Sequence, residues 1–419
     1  MGNALGVPFN RVSISLDEPA VDDVSGHTDD ALRESGVTLA PDTDVAIALG
    51  SRGIVDLQAI VLRVVSWVRS QGARPFVVSA MGSHGGATAE GQREVLASYG
   101  LDEEALGCPV RTSMEVVALP AEVGGVPVVF DAEASRASAT IVVNRVKPHT
   151  DFHGPYESGL MKMIAIGLGN RVQAERIHAH GASGLRTLMP EIAAQVLVHG
   201  NVVLGVAIVE NALEQVMAIE AVPAARIPDV ESRLLVLSRA HMPRLPVDEL
   251  DVLLVDQMGK DISGVGMDTS VIGRIMILGE PDPDHPHIKM IGCHLLTDAS
   301  HGNACGMGLA DVVSRALVDS IDHEATRTNI VTSGFLLRGK VPVVADDDRQ
   351  VWELCVRGAG VIDIEGIRAV RIVDTLHCAE LWVTDAVWRE LRGRDGVTLV
   401  ASGLALHGEN GALRPFHAS

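Results

Sequence analysis

A chain of 419 residues, 47% hydrophobic and 21% charged, has the composition of a folded globular protein and length enough for two hydrophobic cores. Its formal net charge of −20 argues against nucleic acid, which selects a basic surface, so any anionic ligand must meet a few locally converging Arg and Lys side chains. No apolar run approaches the ~18 residues of a membrane span. The start MGNALGVPFN has no basic-then-apolar leader, and Gly6 stands where myristoylation wants Ser or Thr. Five cysteines (Cys108, Cys293, Cys305, Cys355, Cys378) are scattered with no C-x-x-C spacing, which fits reduced thiols and a cytoplasmic location.

Strand-like and helix-like stretches then alternate. DVAIALGS (44–51) reads as a buried strand, and the helical period of 56–72 closes at Gly72. PFVVSAMG (75–82) is the next strand, and 88–100 is a helix with Glu90 early and Gly100 at its end. ATIVVNRVKP (139–148) and NVVLGVAIVEN (201–211) are further strands. Near-continuous apolar strands separated by helices indicate a largely parallel, helix-covered sheet. SRAHMPRLP (238–246) reads as a linker, and a fresh strand, DVLLVDQMG (251–259), opens the second half. Residues 281–287 form a loop, and SHGNACGMG (300–308) is a Gly-rich loop leading into a helix LADVVSRALVDSI. The expectation is two α/β domains with largely parallel sheets, 1–246 and 247–419, and an active site in the cleft between them.

Ligands of open α/β sheets sit at the carboxyl ends of strands, and the unusual polar clusters fall at such places. In GSRG (50–53), Arg52 occupies a short turn, either as an ordinary surface cation or as a fork for a carboxylate or phosphate. In AMGSHGGAT (80–88), His84 stands among glycines that let backbone approach a ligand, and histidine is the natural base near neutral pH. KPHTDFHGPYESGLMKM (147–163) holds His149, His153 and a lysine, Lys162, between Met161 and Met163. That lysine either snorkels to water or is a semi-buried amine suited to covalent chemistry. RIHAHG (176–181) offers His178 and His180; two positions apart on a helix, at most one of them faces a site. DQMGKD (256–261) pairs Gln257 with Lys260, an amide and an ammonium able to hold a carboxylate, or forms an ordinary polar loop. P-loop, dinucleotide, zincin and nucleophile-elbow motifs are absent.

In this order and spacing the residues resemble the lactate racemase family, the nickel-pincer nucleotide enzymes, over about residues 44 to 270. Arg52, His84, His149, Lys162, His178 and Gln257 with Lys260 follow the family's succession, and His178 stands sixteen positions after Lys162. The resemblance implies that Lys162 carries the cofactor, a Ni(II) pyridinium-3-thioamide-5-thiocarboxylic acid mononucleotide, through an uncharged thioamide. It implies that His178 binds nickel, that His84 and His149 are the two bases, and that Arg52, Gln257 and Lys260 hold a substrate carboxylate. The activity implied is inversion of the hydroxyl-bearing carbon of a 2-hydroxy acid by proton-coupled hydride transfer. Proteins of the host that make the cofactor become partners, whereas nucleic acid and membrane do not.

The chain departs from the lactate-specific pattern. Leu49-Gly50-Ser51-Arg52-Gly53 stands where those enzymes have an acid followed by Thr-Arg-Pro, and Gly85-Gly86 replaces an Arg-Pro pair. The interval from His149 to Lys162 is longer, and it contains His153 as a rival second base. The expected substrate is therefore lactate or a related short-chain 2-hydroxy acid. A non-catalytic relative binding a nucleotide or 2-hydroxy acid, and a hydrolase using His84 and His149 with zinc, are the alternatives.

Overall fold

The computed structural model describes residues 6–51 and 53–417. The chain forms two compact units, one of residues Glu18–Met242 and one that joins the described residues before Glu18 to those from Pro243 onward. The first strand, β1 (Pro8–Ile14), thus belongs with the C-terminal half, where the sequence suggested an N-terminal domain from residue 1 to 246. Its hydrogen-bonding partners lie hundreds of residues downstream, and no local pattern announces such a pairing. The stretch read as a linker is also shorter, because its first residues complete the helix Ile227–Ala240.

In the unit Glu18–Met242 the strands are β2 (Asp44–Leu49), β3 (Arg74–Ser79), β4 (Val110–Arg111), β5 (Val116–Val123), β6 (Val126–Asp131), β7 (Ala139–Arg145), β8 (Val202–Glu210) and β9 (Val216–Pro223). Six of them form one sheet in the order β4-β3-β2-β7-β8-β9, parallel except for β9, while β5 and β6 make a separate hairpin. Alternation along β2 sends Val45, Ile47 and Leu49 to one face and Ala46 and Ala48 to the other. The bulky face packs on the helix Leu57–Ser70, whose Ile60, Val61, Val64 and Val68 are fully buried. The alanine face admits a closely packed segment, residues 160–168, that carries Lys162.

The other unit has β10 (Glu249–Met258), β11 (His287–Leu296), β12 (Val312–Ser314), β13 (Val343–Ala345), β14 (Ala369–Ile372), β15 (Glu380–Thr384) and β16 (Val397–Ala405). With β1 they build one sheet, β13-β12-β11-β10-β14-β15-β1-β16, parallel as far as β14 and antiparallel beyond it. The run expected to be a helix, LADVVSRALVDSI, begins instead as the buried strand β12 and turns helical only at Arg315–Asp319. Pairing on both edges favours the Val-Val strand, and the Ser314 hydroxyl caps the helix by accepting the Leu317 amide. All five cysteines are buried thiols. Among the described residues no helix is long and apolar enough to cross a membrane.

Candidate active site at the carboxyl edge of the six-stranded sheet

The chain leaves β2 toward β3 and β4 on one side, whereas β7 continues to β8 on the other. Connections diverging from neighbouring parallel strands open a crevice at their carboxyl ends. The segment 159–168 fills the floor of that place. The Asn144 side-chain amide, at the end of β7, donates to the Gly159 carbonyl at 2.9 Å. Beyond β3, the Gly82 amide donates to the Gly167 carbonyl at 3.3 Å. Beyond β2, the methyl of Met163 reaches to within 2.8 Å of where a side chain on Gly50 would begin, so the glycine lets the methionine pack against the strand end. Three strand ends and one short helix are thereby locked together.

That helix starts as Leu160–Lys162, widens into a π turn over Met163–Gly167, and resumes as Asn170–His178. Residues 159–161 and 163–170 are buried, and Lys162 alone in the stretch is partly exposed. Its amine lies 2.6 Å from His149 Nε2. The opposite ring nitrogen of His149, Nδ1, accepts the Asp151 amide at 3.1 Å. A hydrogen bond thus joins His149 Nε2 to the Lys162 amine.

His149 is held there by its own loop. Reciprocal backbone bonds between Lys147 and Ser158, at 2.8 and 3.1 Å, pinch the loop closed. Inside it the fully buried Glu157 accepts the His149 amide at 2.6 Å and the Gly154 amide at 2.9 Å, and it pairs with Arg239. Burial alone would raise the Glu157 pKa, but hydrogen bonds from His153, His149 and Gly154 and the Arg239 charge bring it below the ordinary carboxylate value. The ring of His149 rests on buried Phe152, centroids 4.8 Å apart. His153, in contrast, is exposed and turns Nδ1 toward Glu157 at 3.3 Å.

His178 lies at the end of the helix that follows the π turn. Its Nδ1–H donates to the Ala174 carbonyl at 2.7 Å, which makes Nε2 the lone-pair nitrogen. Burial and then the Lys162 charge lower its pKa, so the ring is held in the neutral form that binds metals. His180, past the last helical turn, is exposed. Among the described residues no three His, Cys, Asp or Glu side chains are gathered into a metal cage.

His84 is exposed on the loop after β3. Its Nδ1–H donates to the Met81 carbonyl at 2.8 Å, leaving Nε2 as the basic nitrogen. The loop is steadied from behind by buried Gln92, whose amide donates to the Gly82 carbonyl at 3.1 Å and the His84 carbonyl at 3.4 Å. Arg52 lies outside the described residues. Gln257 and Lys260 stand at the carboxyl end of β10 in the other unit, where the Gln257 backbone N–H donates to the Val373 carbonyl at 3.0 Å and the Lys260 ammonium donates to the Gly264 carbonyl at 2.5 Å. Two carboxylates escaped the sequence reading. Glu157 sat unremarked inside the most unusual stretch, and Glu231 approaches Met161 from 70 residues away with no local signal.

A two-unit α/β protein with a lysine–histidine pair and a neutral histidine at the carboxyl edge of a parallel sheet is the class that these observations define. No family model matches the chain, and no curated protein does. Among solved structures, the lactate racemase apoprotein from Thermoanaerobacterium thermosaccharolyticum has the same fold: TM-score 0.54, 9% identity, 88% of this chain and 99% of that one covered. A protein from Thermotoga maritima aligns over 67% of this chain and 72% of its own, with 13% identity and a TM-score of 0.47.

Proposed function

We propose that this chain is a nickel-dependent 2-hydroxyacid racemase or epimerase whose Lys162 carries a nickel-pincer nucleotide. The observation that supports it most is the cluster in which the Lys162 amine meets His149 at 2.6 Å while His178, electrostatically coupled to the same lysine, is kept neutral. The residues fit such a group. An imidazole with Nδ1–H engaged and Nε2 available is a good nickel ligand. A lysine whose sequence neighbours are all buried is better served by an uncharged amide-type link than by its own ammonium.

When bound, such a group would supply hydride-accepting and hydride-donating chemistry at the substrate carbon. The chain itself supplies the rest. Inverting a secondary alcohol needs a proton acceptor and a donor on opposite faces, and we assign these roles to His149 and His84. Acylation of Lys162 would remove the charge and basicity of its nitrogen, leaving His149 to exchange protons with substrate. His153 is turned to Glu157 and serves the loop instead. For the substrate carboxylate we propose Arg52, Gln257 and Lys260. The test is intact mass and peptide mapping of protein made in a cofactor-synthesising host, alongside polarimetry with several D- and L-2-hydroxy acids. An adduct on Lys162 with racemisation is the expected result; full racemase activity with unmodified Lys162 would overturn it.

A further inference from the structure

The turn that leaves β2 is bounded by two glycines, Gly50 and Gly53, with Ser51 and Arg52 between them. Glycines widen the backbone choices of a turn, so its shape depends on what other elements hold it. At one end the Met163 side chain packs against Gly50. At the other, Glu210 of β8 accepts the Val55 amide at 2.8 Å and pairs with Arg145. Between these anchors, Ser51 and Gly53 both meet one side chain. The Tyr99 hydroxyl donates to the Ser51 carbonyl at 3.1 Å. A Cβ on Gly53 would stand 3.5 Å from Tyr99 Cε1, ordinary contact distance to that ring. Tyr99 is itself fixed. It caps the carboxyl end of the helix Ala89–Ser98, its amide donating to the Leu96 carbonyl at 3.1 Å. The next residue, Gly100, has a φ of 69° and accepts the Gln58 side-chain amide at 2.7 Å, which ties this helix end to the start of the helix Leu57–Ser70.

We propose that Tyr99 is a positioning residue: its hydroxyl and ring grip the turn at the residues before and after Arg52, so that this arginine meets a substrate carboxylate from an ordered backbone. The proposal rests on Arg52 being a carboxylate-binding residue of the proposed racemase. Packing of its own helix gives Tyr99 no reason to reach over residues 51 and 53. At 36% exposed it gains little from burial there, and its hydroxyl would find water as readily as a carbonyl. Gly53, unlike a proline, puts no restraint of its own on the turn, so the restraint comes from another helix. An arginine on an unrestrained turn would have to be ordered each time a ligand bound, and that ordering subtracts from affinity.

Because Arg52 is followed by Gly53, trypsin can cut there, and the order of the turn can be read without any activity. Full-length wild type and Tyr99→Phe are exposed to dilute trypsin under native conditions. Cleavage after Arg52 is timed by peptide mass spectrometry against cleavage after Arg136, which is exposed in the same unit. Phenylalanine keeps the ring against Gly53 and removes only the hydroxyl. The ratio of Arg52 to Arg136 cleavage should rise about 2- to 10-fold, the weight of one neutral hydrogen bond. An unchanged ratio overturns the proposal. Tyr99→Ala, which removes the ring as well, should raise the ratio further, and an Ala variant that matches wild type overturns it too. In cofactor-loaded protein, Tyr99→Phe should raise KM for a 2-hydroxy acid by a similar factor and leave kcat within about twofold, since a carboxylate clasp serves substrate and transition state alike. A loss confined to kcat overturns the positioning role. Loaded wild type that racemises no 2-hydroxy acid ends the racemase reading, and the cleavage ratio then decides whether Tyr99 fixes the turn. Racemisation without the change in ratio ends the Tyr99 proposal alone.

Discussion

The Lys162 amine and His149 Nε2 stand 2.6 Å apart, so on the proposed reading the site of attachment adjoins the proton-transferring ring. Replacing His149 with Ala should lower racemisation by about 10²–10⁴-fold, the usual weight of a general base, whereas His153→Ala should be mild because that ring faces Glu157 and solvent. Polarimetry on proteins matched for nickel content checks both, and an active His149 variant beside a dead His153 variant would reverse the assignment. Nickel itself should follow His178. Its Nδ1–H is spent on the Ala174 carbonyl and Nε2 is presented, whereas exposed His180 starts the next turn. Elemental analysis should show metal lost in His178→Ala and retained in His180→Ala.

The loop from 147 to 158 is an element organised around one carboxylate. Glu157 is fully buried and gathers two amides, a histidine and Arg239, so its removal strands several donors at once. Glu157→Ala should cost about 2–4 kcal/mol in urea unfolding at pH 7. The sign of its pH dependence follows from a pKa held below the ordinary carboxylate value. Its stabilising contribution is fully present above that ordinary value and is lost as pH falls through the lowered one. The stability gap between wild type and Glu157→Gln should therefore be full at pH 7 and shrink toward pH 3. In sequence, Glu157 had no distinguishing mark. An acid in a Pro- and Gly-containing loop looks like solvated surface, and only closure of the loop by Lys147 and Ser158 buries it.

At the scale of the whole chain, β1 binds residues near the start to strands near the end. It lies between β15 and β16, antiparallel to both, with Phe9 and Val12 fully buried. Burying two such side chains is worth about 1.5–3 kcal/mol each. Deleting residues 1–17 should accordingly raise hydrogen exchange in β15 and β16 and leave the six-stranded sheet of the other unit protected; equal loss of protection in both units would contradict this. The thiols supply a second check. Burial raises the pKa of Cys293 to about 12 and raises those of Cys355, Cys378 and Cys108 as well. Ellman's reagent should find these four unreactive in native protein at pH 7.5 and accessible after denaturation.

Residue order alone determined the strands β2, β3, β7, β8 and β10, because long apolar runs bounded by glycine and proline leave little choice of structure. It also marked out His84, His149, Lys162 and His178, since a cation or imidazole among glycines and apolar residues is conspicuous in one dimension. It could not assign β1 to the C-terminal sheet, nor show that the Val-Val pair of β12 would be a strand, because both depend on partners supplied by distant segments. The same limit hid Glu231. A carboxylate on an amphipathic helix belongs in water by every local rule, and it becomes a buried cap only when the helix Ile227–Ala240 packs against a glycine 72 positions earlier. Local patterns record what each segment prefers. The chemistry of a site depends on which distant groups are deprived of water together, and tertiary packing alone decides that.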